Sequence, residues 1–169
     1  MPETAREGPK PFVLGPDDGE ATWFLGTRMT VKATAQSTGG TFGLIEVRLA
    51  AGFSPPLHIH HQEDESFWIL EGDLTLVCDG QTYQAGPGSF IYLPRDLPHA
   101  FRIRGETPAR ILALTLPGGL LSFYDEVGVP APELRLPGAD GQPMDVEIPK
   151  WVELAPRYGI EVVGPPIPE

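Results

Sequence analysis

The run Gly52-Phe53-Ser54-Pro55-Pro56-Leu57-His58-Ile59-His60-His61-Gln62-Glu63-Asp64-Glu65 decides how this chain is read. It holds three of the four histidines in the sequence. On a β-strand, side chains alternate between faces, so His58 and His60 share one face and His61 takes the other. Two imidazoles at that spacing can reach one metal ion from a single strand. Glu65 follows after a bend and can add a carboxylate. By residue type alone Glu63 or Asp64 could replace it, although both read as solvated turn residues. The fourth histidine, His99, lies 34 residues beyond Glu65, after the turn-rich stretch Pro94-Arg95-Asp96-Leu97-Pro98. A meander of strands can carry it back to the first pair. Imidazole and carboxylate donors together suit Fe, Mn, Co, Ni, Cu or Zn. His61, pointing the other way, is expected outside the ligand set.

Outward from this run the sequence is a series of short β-like segments. They cover 22–27, 29–35, 41–50, 66–70, 74–78, 81–84, 89–93, 100–104 and 110–116. In Thr41–Ala50, Ile45, Val47 and Leu49 share one face while Glu46 and Arg48 share the other. Asp79-Gly80, between two alternating runs, is a strong hairpin signal. Gly and Pro number 20 each among 169 residues, which argues against a helical bundle. With 41% hydrophobic residues spread along the chain, the composition fits a packed, turn-rich β domain. Residues 1–20 read as a loose arm, with a short strand at Phe12–Leu14, and 21–118 as the β domain. Residues 119–169 read as an extension: helical spacing in Leu120–Val127, a Pro/Gly-rich linker over 128–145, a short helix within Pro149–Tyr158 and a last strand at Ile160–Val163.

At this point a family resemblance becomes specific. Gly52-x5-His58-x-His60-x4-Glu65-x6-Gly72 resembles the first cupin motif, and Gly88-x5-Pro94-x4-His99 resembles the second. Fifteen residues separate Gly72 from Gly88, as in compact bacterial cupins. The second motif departs at two positions. Asp96 stands where the family usually has Gly, a turn position that Asp tolerates in left-handed geometry. Ile103 stands where it often has Asn, which removes a hydrogen-bonding side chain. The resemblance implies an all-β double-stranded β-helix, a jelly-roll barrel. It also implies one divalent metal held by His58, His60, Glu65 and His99. Glu65 would be a ligand or, swung off the metal, a general base. The tail segments LLSFYDEVG and RYGIEVVGPP resemble single-domain cupins of the quercetin dioxygenase-like kind. Leu121, Phe123 and Tyr124 would then form a lid on the barrel mouth or, as the favoured alternative, an amphipathic helix packed outside it.

The function implied is a metal-dependent dioxygenase acting on a small aromatic or enolic substrate. The alternatives are a binding module without turnover and a non-redox enzyme (isomerase, decarboxylase or lyase). Phe42, Trp68, Phe90, Tyr92 and Phe101 are candidates to line the pocket, although alternation must turn about half of them outward. The net charge of −11 disfavours nucleic acid and anionic membrane surfaces as partners. A small-molecule substrate, with dioxygen, is the expected partner, together with a second copy of the chain as a homodimer. One cysteine, Cys78, excludes an internal disulfide and reads as a small buried hydrophobe in a cytoplasmic protein.

Overall fold

The computed structural model describes residues 8–137, 151 and 153–169. The first residues of the arm, part of the linker and the start of the helix expected at Pro149 lie outside them. Two antiparallel sheets face one another. The larger runs β11 (Val129–Pro130), β1 (Ala21–Phe24), β2 (Thr27–Ala33), β3 (Gly43–Leu49), β10 (Ala109–Leu116), β5 (Asp64–Glu71) and β8 (Phe90–Leu93). The smaller runs β12 (Ile160–Pro166), β4 (Pro56–His60), β9 (His99–Arg104), β6 (Asp73–Cys78) and β7 (Gln81–Ala85). From β3 to β10 the chain crosses back and forth between the sheets, with the β6–β7 hairpin at its midpoint, as a double-stranded β-helix requires.

Alternation builds the core. Ala109, Ile111, Ala113 and Thr115 of β10 are buried while their neighbours are half-exposed. β3 repeats the pattern with Gly43, Ile45, Val47 and Leu49. The inward rows of the two sheets meet in one apolar cluster that includes Leu49, Phe67, Ile69, Leu74, Ile103 and Ile111. Turn chemistry sets the registers. Asp79 and Gly80 both have positive φ (48° and 73°), as a two-residue hairpin with Cys78 opposite Gln81 demands. Gly72, with φ +84°, joins β5 to β6 where an added Cβ would lie 2.7 Å from the Ala109 Cβ, so only glycine fits. Asp96 has φ +67°, the left-handed geometry anticipated for it.

The expected segment 22–27 divides into β1 and the start of β2, with Leu25 and Gly26 both at positive φ between them. Phe12–Leu14 forms no strand and is exposed. The Leu120–Val127 spacing becomes α2 (Leu121–Val127). A four-residue helix, α1 (Ala35–Thr38), went unforeseen; a capping box between Thr34 and Ser37 closes its start. A second buried cluster, with Leu120, Phe123, Trp151, Leu154, Ala155 and Ile160, sits where α2 and the C-terminal segment meet. Three of its members, Phe123, Trp151 and Ile160, also line the cavity described below.

Candidate metal centre

β4 and β9 pair through a single position, His58 opposite His99. β12 flanks β4 on its other side, placing Ile160 opposite His60 and Val162 opposite His58. The three imidazole rings thus converge, with centroids 4.5 Å apart for His58–His99, 5.0 Å for His58–His60 and 5.5 Å for His60–His99. One ring nitrogen from each lies within 4.8 Å of the others, the spacing a shared metal ion needs. Glu65 reaches in from the opposite sheet. Its Oε2 lies 3.4 Å from His99 Nε2 and 3.9 Å from His60 Nε2.

The backbone prepares two of these rings. His58 Nδ1 donates to the Pro56 carbonyl at 2.7 Å, and His99 Nδ1 to the Leu97 carbonyl at 3.1 Å. In each case the carbonyl two residues earlier fixes the tautomer and leaves Nε2 with its lone pair free, the second-shell arrangement of metal-binding histidines. His99 Nε2 and His60 Nδ1 are buried without a hydrogen-bond partner. Orphaned buried nitrogens aimed into a shared space are what a bound cation would satisfy. Burial, reinforced by His99 and His60, pushes His58 down to about 4. Burial also lowers His60. Burial alone would raise Glu65, but the close approach of His99 and the imidazoles of His60 and His58 hold it below the usual carboxylate range. Neutral imidazoles and an ionised carboxylate are the forms that bind metal. The donor set fits a first-row transition ion, with His58, His60 and His99 as the cluster.

The remaining expectations divide. His61 points to the surface, where Nδ1 meets Asp96 Oδ1 at 2.7 Å and Nε2 meets Glu161 Oε2 at 2.9 Å. Asp64 is ion-paired with Arg95 at 3.0 Å, which holds its carboxyl down at about 2. Glu63 corrects the reading of a solvated turn. It is 3% exposed, and its Oε2 has no partner. Burial, opposed in part by Arg95 and reinforced by Glu65, pushes it up to about 7. Strand parity carried the signal, since Glu63 shares the inward phase of Glu65.

His58, His60 and Glu65 line a cavity with about 690 Å³ of atom-free space, its open mouth included. Its walls are apolar: Met29, Val47, Phe67 and Ile111 from the larger sheet, and Phe53 and Phe101 from the side of the smaller one. Among the five aromatic candidates, Phe101 lines it; Trp68, Phe90 and Tyr92 are exposed on the outer surface. Phe24, Phe123, Tyr124 and Trp151 also line the cavity, which brings α2 to its wall. Among the described residues no Lys or Arg lines this cavity.

Comparison with known proteins agrees with this geometry. Residues 45–115 match the family model described as "Cupin domain". Quercetin 2,3-dioxygenase of Bacillus subtilis is 30% identical over 120 residues, 71% of this chain but 35% of that protein. The tetracenomycin polyketide synthase protein TcmJ of Streptomyces glaucescens is 28% identical over 112 residues, 64% of this chain and 75% of that protein. The solved polyketide cyclase RemF from Streptomyces resistomycificus superposes with a TM-score of 0.55 at 24% identity, covering 63% of this chain and 80% of that one. The chain thus spans about a third of the Bacillus relative. With both spacing motifs and the histidine cluster inside the matched segment, the chain is a member of the cupin superfamily.

Proposed function

We propose that this protein is a metal-dependent oxygenase whose substrate is a small, uncharged aromatic or enolic molecule. The observation that carries the reading is the division of the cavity into apolar walls and one polar end at His58, His60 and Glu65. An anionic sugar phosphate or a small dicarboxylate needs cationic partners, and no Lys or Arg among the described lining residues supplies one. A flat, apolar ring with an oxygen at one edge satisfies both parts of the site.

His58, His60, His99 and Glu65 would hold one divalent ion of Fe, Mn, Ni, Co, Cu or Zn, a ligand set that leaves open positions for a substrate oxygen and dioxygen. The bound ion would supply Lewis acidity and, if redox-active, electron transfer to dioxygen. The chain's own work is distinct. Three imidazoles would fix the ion's place, the apolar walls exclude water, and Glu65 would offer a base beside the substrate oxygen. Likeness to quercetin 2,3-dioxygenase and to the tetracenomycin polyketide synthase protein TcmJ supports this reading.

Oxygen uptake by metal-loaded protein against a flavonol panel tests this reading. Uptake above that of a His60→Ala control is expected. No uptake above the control with any flavonol would remove the substrate class. Anaerobic turnover of an enolic substrate would instead establish the non-redox alternative, and a ligand that raises Tm but is recovered unchanged would establish the binding module. We also expect a homodimer in the cytoplasm, because the exposed edge strand β8 presents Phe90 and Tyr92 beside Trp68. Light scattering at the mass of one chain would overturn the dimer.

A further inference from the structure

We propose that the Tyr124 hydroxyl is the substrate-orienting group of this cavity, donating a hydrogen bond to a substrate oxygen held beside Glu65. The inference rests on the reading that the cavity receives a planar, oxygen-bearing molecule. It deepens that reading by requiring the substrate to offer an acceptor at a defined place.

Tyr124 sits on α2, four residues from the Gly128 amide that caps onto its carbonyl at 2.9 Å. Its ring is held between two others: Phe24 at 5.5 Å, tilted 58°, and Phe123 at 5.5 Å, tilted 59°. Phe123 is itself 1% exposed and packed against Tyr158 at 5.4 Å. The ring is thus fixed from behind by packing. In front of it lies the cavity that also contains His58, His60 and Glu65.

Two hydroxyl-bearing side chains line that cavity, Thr27 and Tyr124. The Thr27 hydroxyl is already committed to the Phe24 carbonyl at 2.6 Å. The Tyr124 hydroxyl has no hydrogen-bond partner among the described residues. The Tyr124 side chain is partly exposed on the cavity wall, so its uncommitted hydroxyl is available to a ligand that enters. Burial, with Glu65 and Glu63 nearby, raises the phenol's pKa, so it stays an O–H donor. A donor on the wall of the cavity that Glu65 also lines matches a substrate oxygen that carries negative charge as it loses its proton.

The test uses Co(II)-loaded protein under anaerobic conditions, with 4-nitrocatechol and imidazole as probes. Both can reach the metal. Nitrocatechol keeps an oxygen able to accept a hydrogen bond, whereas bound imidazole has only an N–H left. Tyr124→Phe should bind nitrocatechol about 10-fold more weakly, the effect of one hydrogen bond to a charged acceptor. The band of the bound catecholate should shift, while imidazole affinity and cobalt content stay unchanged. Equal nitrocatechol affinity in the two proteins overturns the assignment. So does an equal loss for both probes, or loss of cobalt, because either marks a packing role. Tyr124→Leu should match Tyr124→Phe in its probe discrimination if the hydroxyl is what matters. If flavonol oxygen uptake fails while this discrimination persists, the oxygenase reading falls and the role of Tyr124 stands. Uptake without discrimination sinks only the role of Tyr124.

Discussion

The two ends of the barrel are built from the same strands and do opposite things. Four residues along β9, on the same face, His99 gives way to Ile103; along β5, Glu65 gives way to Ile69. At the closed end Ile69, Leu74 and Ile103 are each 1% exposed and fill the space between the sheets. At the open end His58, His60 and Glu65 line a cavity, with His99 beside them, and Phe123 and Tyr124 of α2, Trp151 and Ile160 of β12 help to wall it in. The closed end supplies the burial that stabilises the barrel. That burial allows the open end to keep buried nitrogens and carboxylates unpaired. Function has been placed where the aliphatic packing stops.

The largest expected effect breaks the open end alone. His99→Ala or His58→Ala should lose most of the bound metal, read by elemental analysis, with the fold retained by far-UV circular dichroism. Loss of the fold along with the metal would show that the two ends are not separable. Next comes the closed end. Ile103→Ala, which empties space in a fully buried layer, should cost about 2–5 kcal/mol in denaturant unfolding. Metal stoichiometry should be unchanged.

A smaller effect comes from protonation at the open end of the metal-free protein. Glu63 has a folded pKa raised to about 7 from an ordinary 4.5, so the folded state holds its proton in that window and loses stability as pH rises through it. Glu63→Gln should therefore raise Tm by several degrees at pH 8 and change little at pH 4. His58, lowered to about 4 from 6.5, acts with the opposite sign: the unfolded chain takes up the proton first, so stability falls as pH drops through that window. Removing Glu63 should thus steepen the acid side of the profile, and a profile unaltered by Glu63→Gln would refute its burial. The smallest effect belongs to His61→Ala. Its partners Asp96 and Glu161 are exposed, so metal content should hold and Tm should barely move. Metal loss from His61→Ala would reverse the strand parity on which the centre rests.

The histidine cluster was legible because its information is local. Strand alternation alone puts His58 and His60 together and His61 apart, and the resemblance of Gly88-x5-Pro94-x4-His99 to the second cupin motif implied that His99 returns to them. The hairpin at Asp79-Gly80 and the left-handed turn at Asp96 were legible for the same reason, since each is set by a few neighbouring residues. The pocket walls were not. Whether an aromatic faces in or out depends on which strand pairs with which, and Trp68 and Phe90 are outward because β5 and β8 pair in a register that places them opposite one another on the outer face. Glu63 looked like a turn carboxylate because its burial comes from beyond its own segment: the turn at Gly119 approaches it, an added Cβ there lying 3.2 Å from Glu63 Oε1.

By itself, then, the sequence carried the period-2 pattern and turn signals of an all-β domain and put His58 and His60 on one strand face, because periodicity and turn chemistry act over a few residues; the barrel, and Glu65 and His99 as their companions, were implied by the cupin resemblance. The tertiary structure alone decided what surrounds them. Phe24, Tyr124, Trp151 and Ile160 reach the same cavity from both flanks of the barrel. Such contacts depend on the burial of separate segments against one another, which no local pattern encodes.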